Sequence, residues 1–453
     1  MDDDRVTTKD TTRNMTEGPP MRLILGFSLP LLLGFLMQQF YNVVSMIVVG
    51  RFIGVEAFAG VGVTGGINFM TIGLCVGLCS GLAIPVAQKF GAGDYEMMRR
   101  FIANGVWLSI IFTIILTALT VIFCEAILTA MRTPADIYEH SYSYMLILFC
   151  GIPTVFLYNF AAGIMRSIGD SKTPMKILMV STVIHLLLSF LFVVFIDGGT
   201  AGVAYSTNIS QLISGLLCLI ILIRKFPILR LKKDEWRWQS DLAKTSCKMA
   251  IPMGIQYSIT AIGSVILQSA VNTLGSAAAA SVAAAIRVSV FFSVPFETLG
   301  NAMTTYAGQN VGAGRLDRLD AGLKASVTLA CLYSIAAYAI IFVFGRNMTM
   351  IFVDPSEAYV LDNATLYLRI MAAFYIPLAL VNIYRFMIQG MGYGMLAIIA
   401  GVCELIARTM AAFILVPLFG FVGAAFASPL AWLLADMFLI PAYHYCKRQL
   451  TEK

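Results

Sequence analysis

Twelve long apolar runs dominate the chain. They lie at about residues 22–46, 58–86, 101–124, 141–165, 174–196, 202–223, 249–272, 277–306, 321–344, 364–388, 395–416 and 422–446. A helix needs about 20 residues to cross the hydrocarbon core of a bilayer. Backbone groups in that core must pair within the segment, so runs of this length are helices. Tight turns with Gly, Pro or Asp separate them, such as Asp197-Gly198-Gly199 and Pro417-Leu418-Phe419-Gly420. Only 12% of the 453 residues are charged, against 59% apolar, too little charge to cover a water-facing surface. The pattern predicts an all-α integral membrane protein of twelve transmembrane helices, with no room for a large ectodomain or a tethered enzyme. The first run follows the acidic Asp2-Asp3-Asp4 without a small-residue cleavage pattern and reads as a span, not a signal peptide.

The net charge of +6 does not point to nucleic acid, because the basic residues are scattered among short loops and not gathered on one face. Their positions fix the topology instead. Taking the connections alternately, one side of the membrane holds 24 Lys and Arg and the other holds 3. Cytoplasmic loops carry the excess, so both termini are expected in the cytoplasm of a multi-pass protein of the inner (plasma) membrane. The nine cysteines, at 75, 79, 124, 150, 218, 247, 331, 403 and 446, fall mostly inside apolar runs without framework spacing. They read as small packing residues, with no disulfide and no metal site expected.

Displacing the sequence on itself by about 221–224 residues reveals a repeat. Gln88, Gly91, Ala92 and Gly93 fall on Gln309, Gly312, Ala313 and Gly314. Gly199, Gly202 and Ala204 fall on Gly420, Gly423 and Ala425, while Pro30, Pro153 and Gly169 fall on Pro252, Pro377 and Gly392. Six spans per copy bring the second half in from the same side as the first. The expected architecture is therefore two six-helix bundles related by a pseudo-two-fold axis along the membrane normal. The expected divisions are an N-terminal tail (1–21), an N-lobe (22–223), a basic cytoplasmic linker (224–248), a C-lobe (249–446) and a C-terminal tail (447–453). Trp236 and Trp238 in the linker read as interfacial anchors of a short surface helix.

Several stretches now take on a family likeness: Met15–Pro19, Leu29–Gly54, Gly91–Asp94, Gly163–Pro174, the second Gln/Gly loop at Gly308–Gly314, and Phe419–Ser428. Together, over about residues 15–445, they resemble the MATE (multidrug and toxic compound extrusion) family of the MOP flippase superfamily. The resemblance implies a monomeric secondary antiporter that exports cationic or amphipathic small molecules against H⁺ or Na⁺ entry, with no cofactor. It also exposes departures. Bacterial relatives carry an acid in the first span where this chain has Ser45, and another in the fifth span, where it reads His185-Leu186-Leu187-Leu188-Ser189. The acids that the NorM-like branch uses in spans seven and ten are missing too.

Antiport needs a group at membrane depth that binds the driving ion, and intramembrane ionisable residues are the natural candidates. Three acids lie well inside runs: Glu297, Glu404 and Asp436. Glu404 precedes Arg408 by one turn, which suits either a self-neutralising structural pair or a coupling site. Glu297 follows Pro295, whose missing donor frees carbonyls for a cation cage, although a hydrogen bond to a neighbouring helix would serve equally. Asp436 looks closer to a helix-end acid. His185, read as the single histidine inside a span, could carry a proton or merely pack through a hydrogen bond. Arg287 and Arg385 could pair with Glu297 or Glu404, or draw an anionic cargo.

Polar side chains at the repeat seam should line an amphipathic cavity: Gln38, Gln39, Tyr41, Asn42, Tyr158, Asn159, Gln256 and Tyr257. The 24 methionines supply adaptable apolar surface. A lipid-linked oligosaccharide flippase is the alternative, and it would want several basic residues for a pyrophosphate. A membrane enzyme is not expected, because no paired nucleophile and base lies within the spans.

Overall fold

The computed structural model describes residues 14–452; Asp2-Asp3-Asp4, and with it the signal-peptide question, lies outside the described residues. Every apolar run is helical. Spans one to three are Pro20–Ile53, Glu56–Gly91 and Tyr95–Ile122. Span four is a bent pair, Ala135–Cys150 with Ile152–Ser167, and spans five to nine are Lys172–Phe195, Gly199–Lys225, Ser240–Asn272, Ser276–Gly312 and Asp317–Thr349. Span ten is again a bent pair, Ala358–Ala373 with Tyr375–Gly390. A last helix, Gly394–Thr451, leaves helical backbone at Gly420 (φ 56°, ψ −131°). Divided there it gives spans eleven and twelve, so the twelve expected runs are all accounted for among the described residues.

The repeat is written into the backbone. Spans four and ten bend by 46° and 51°, each with a proline (Pro153, Pro377) in the turn after the break, where a lost donor weakens the helix. Spans five and eleven both end in a π-helical turn, Leu191–Phe195 and Ala411–Leu415, followed by a glycine with left-handed φ, Gly199 (53°) and Gly420 (56°). Gly93 (71°) and Gly314 (69°) likewise match across the two copies. Only glycine enters this region without a Cβ penalty, which explains why these positions align.

Two compact units result. The first comprises the residues up to Phe58, Leu82–Ser246 and Thr305–Arg318; the second comprises Ala59–Gly81, Cys247–Thr304 and Leu319 onward. Within the first, span one packs on span five, and spans four and five on span six; within the second, spans ten and eleven pack on span twelve. Lipid provides no hydrophobic drive between helices, so close backbone approach does much of the work. Gly73, Gly77 and Gly81 form a stripe with a four-residue period in span two. A Cβ on Gly77 or Gly81 would collide with the backbone of Met253 or Ala250 in span seven. Large apolar side chains face outward, as Ile110, Ile111, Ile114, Ile115 and Leu119 do along span three.

The linker departs from expectation. Instead of a surface helix it forms two 3₁₀ turns, Pro227–Leu229 and Lys233–Trp236. Side chains from span three dictate that shape. Arg99 Nε donates to both oxygens of buried Glu235 (2.8 and 2.9 Å), Trp107 Nε1 donates to the Trp236 carbonyl (3.0 Å), and Asn104 Oδ1 accepts from the Gln239 amide (2.9 Å). Trp236 and Trp238 keep exposed rings.

Burial would raise the Glu235 carboxyl, but Arg99 and the Lys232 amide outweigh it and hold the group below the usual carboxylate range. A depressed folded value means that its stabilisation is present above the unfolded value of about 4.3 and fades as pH falls through the folded one. Hydrogen exchange across 227–239 should therefore rise on acidification below about pH 4, and Glu235→Gln should raise it already at pH 7; unchanged exchange in the variant would show that the linker is held otherwise. Gly81→Ala should cost about 1–3 kcal/mol by overpacking. It should lower the melting temperature in detergent, while Gly62→Ala, whose Cβ meets nothing within 4 Å, should not.

Candidate functional site

Two buried polar clusters, one in each unit, contain ionisable residues inside the spans. In the first, His185 of span five is fully buried, and its Nε2 lies 2.9 Å from Ser45 Oγ of span one and 3.0 Å from Ser189 Oγ one turn along its own helix. Ser189 Oγ is 2.7 Å from Ser206 Oγ of span six, which donates to the Val203 carbonyl. The Tyr41 ring centroid stands 3.9 Å from that of the imidazole, and the Tyr41 hydroxyl donates to Thr207 Oγ1 (3.0 Å). Nδ1 of His185 has no protein partner among the described residues. The hydroxyls of Ser45 and Ser189 are thus the hydrogen-bond partners of a histidine. A chain of imidazole and hydroxyls can hold and pass a proton. It offers no negative charge to a metal cation.

The second unit gathers charge. Glu404 and Arg408 of span eleven, Arg385 of span ten and Asp436 of span twelve are each less than one-tenth exposed. Arg385 Nη2 donates to Glu404 Oε1, and Arg408 Nη2 donates to Glu404 Oε2 at 3.2 Å. Both guanidinium groups thus converge on one carboxylate, as such forks commonly do. Asp436 lies within electrostatic reach of Arg385 and Glu404, yet its Oδ1 has no hydrogen-bond partner among the described residues. Two glycines make room: a Cβ on Gly263 would stand 3.3 Å from Arg408 Nη1, and one on Gly401 would touch Gln256. Beside the charges, Gln389 Nε2 donates to Gln256 Oε1 (2.6 Å).

The structure thus joins Arg385 to Glu404 and keeps the Glu404–Arg408 pair. It leaves Glu297 and Arg287, ten residues apart on span eight, exposed and without an ion pair among the described residues. Asp436 is not a helix-end acid; it lies mid-helix among buried Ala431, Trp432, Ala435 and Leu439. That three-to-four spacing of small and apolar residues was the available signal for its burial. His185 is not the only histidine on a span, since His140 and His444 sit near the ends of spans four and twelve. Tyr158 is buried, Asn159 spends its amide on the Val155 carbonyl of its own helix, and Gln39 and Tyr257 are half-buried. Gln38 and Asn42 are exposed.

The motif loops prove to be architectural. Asp170 accepts from the amides of Lys172 (3.0 Å) and Thr173 (2.9 Å) and from the Thr173 hydroxyl, which caps span five, and Asp94 caps span three through the Met97 amide.

Among known proteins, a family model described as MatE matches residues 30–191 and 252–414, one stretch in each copy of the repeat. "Probable multidrug resistance protein YoeA" of Bacillus subtilis is 29% identical over 73% of this chain and 73% of its own length. "Probable multidrug resistance protein YpnP" of the same organism is 27% identical over 80% of each. A crystal structure of a MATE protein in complex with MaL6 is 21% identical, covers 99% of this chain and 100% of its own, and has a TM-score of 0.91.

Removing the shared carboxylate should be severe. Glu404→Gln leaves two buried guanidinium groups without it and should cost about 3–5 kcal/mol, read as a large fall in melting temperature. Glu404→Gln combined with Arg408→Met should recover part of that loss. An unchanged melting temperature in the single variant would mean that the pair contributes nothing.

Proposed function

The chain belongs to the MatE family, and on that premise we propose that it exports amphipathic organic compounds in antiport with protons. The observation that carries this is the pairing in the second unit's cluster: both arginines are hydrogen-bonded to Glu404, and Asp436 Oδ1 has no hydrogen-bond partner among the described residues. An unpaired carboxylate costs too much in such a site unless it holds a proton. A sodium ion would need several oxygens and net negative charge. The Arg385–Glu404–Arg408–Asp436 set has a net charge of zero with Asp436 ionised and +1 with it protonated, never negative, and the His185 set has no carboxylate. Among the described residues there is no group of three or more His, Cys, Asp or Glu that could hold a metal ion.

The exchange proceeds as follows. With Arg385 on Glu404, Asp436 keeps its proton. When Arg385 transfers to Asp436, that carboxyl releases the proton to water, and Glu404 stays paired with Arg408. Binding of cargo and of the proton then favour different states, which is what antiport requires. His185, with Ser45 and Ser189, forms a second proton station in the first unit. Exposed polar side chains in each unit are candidates for contact with cargo, Gln38 and Asn42 in the first and Arg287 and Glu297 in the second, where Glu297 would favour cations. The flippase alternative loses support, because two of the three arginines it would use, Arg385 and Arg408, are committed to Glu404. In this reading the protein is a monomeric, cofactor-free inner (plasma) membrane transporter, not an enzyme, with both termini cytoplasmic, the lipid bilayer around it and no nucleic-acid partner.

Ethidium movement in proteoliposomes, with pH and sodium gradients imposed separately, tests this. The pH gradient alone should drive transport. Asp436→Asn should cut it at least about tenfold while ethidium still binds, as expected when an interaction needed only for turnover is lost. His185→Asn should change the pH dependence. Sodium-driven transport, or full activity in Asp436→Asn, would contradict the proposal.

A further inference from the structure

The segment before span one, Asn14–Gly18, is docked and not loose. Met15 is completely buried, its amide donates to Gln309 Oε1 (2.8 Å), and its carbonyl accepts from Asn310 Nδ2 (3.2 Å). Arg318 Nη2 donates to the Gly18 carbonyl (2.7 Å), and Arg318 Nε donates to Asn310 Oδ1 (3.1 Å). Gln309 spends the other end of its amide on the Ser167 carbonyl at the end of span four (2.8 Å), and Ser167 Oγ donates to the Ala83 carbonyl of span two (2.8 Å). The segment is thus hydrogen-bonded to span eight and, through Gln309 and Ser167, to spans four and two.

It sits beside the point where spans two and eight cross. A Cβ on Gly91 would run into the Gln309 backbone, and one on Gly312 into the Gln88 backbone, so the two Gln/Gly loops of the repeat lock reciprocally. Met15 bonds the second copy of that pair, at Gln309 and Asn310. Asn310, which both accepts and donates in it, is replaced in the first copy by Lys89, which pairs with Asp94. Pro19 and Pro20 follow, and their fixed φ angles join the segment stiffly to span one.

We propose that Asn14–Gly18 is a strap that bolts the span two–span eight crossing shut on the face carrying the termini. Met15 must leave its socket before those ends part, and movement of span one is what draws it out. The consequence for turnover rests on the transport reading above; the lock itself does not.

Two measurements test it. In the purified protein, Met15→Ala should raise hydrogen exchange in peptides covering 84–91 and 305–312 by about tenfold or more, as local opening becomes easier, while Met15→Leu, which refills the socket, should not. Unchanged exchange in Met15→Ala would overturn the strap whatever the protein transports. For turnover, Cys150, Cys247, Cys331 and Cys403, the exposed and half-buried cysteines, are first replaced by Ser. Met15→Cys and Asn310→Cys are then joined by a short bismaleimide. Ethidium transport should stop on linking and persist in the unlinked double variant; transport that continues after linking would overturn the gating role. Absence of ethidium transport in the protein with Met15 and Asn310 intact would count against the efflux reading, and the exchange arm would still decide the strap.

Discussion

A guanidinium group inside hydrocarbon has to be met by an acid. This chain places Arg385 and Arg408 on neighbouring spans and gives both of them Glu404. Much of the second unit's interior follows from that constraint. Gly263 and Gly401 leave room beside the cluster, and Gln389 donates to Gln256 next to it. Asp436 is the acid left without a hydrogen-bonded arginine. A fully matched network would be inert, whereas one with a leftover carboxyl has two ways to pair, and two ways to pair are the minimum for a switch.

The first unit solves the same problem without charge. Where the family resemblance implies carboxylates, serines at 45 and 189 converge on one imidazole, with Ser206 continuing the chain. The substitution reads as a loss when each residue is taken alone. It becomes a coherent set once spans one, five and six are brought together, because the hydroxyls then serve as the histidine's partners. The two units thus hold proton-competent groups of different chemistry, one neutral and one ionic.

The spans were legible because lipid demands long apolar helices, and the repeat was legible because glycines at left-handed backbone positions tolerate little else. Pairings between distant spans were not. Glu404–Arg408 announced itself by its four-residue spacing, but the third partner, Arg385, came only as one option among several, since no local pattern says which faces of spans ten and eleven meet. Asp436 reads as closer to a helix-end acid, whereas the buried face from Ala431 to Leu439 sets it inside span twelve. The linker escaped because its shape is set from outside by Arg99, Trp107 and Asn104. The Met15–Pro19 stretch counted only as a family mark until its contacts with Gln309 and Asn310 showed what it holds.

If Asp436 carries a proton while Arg385 rests on Glu404, infrared difference spectroscopy of the carboxylic C=O stretch reads that proton directly. A band from a protonated, buried acid should be present, disappear in Asp436→Asn and survive in Glu297→Gln. Absence of that band, or its persistence in Asp436→Asn, would show that Asp436 does not hold the proton.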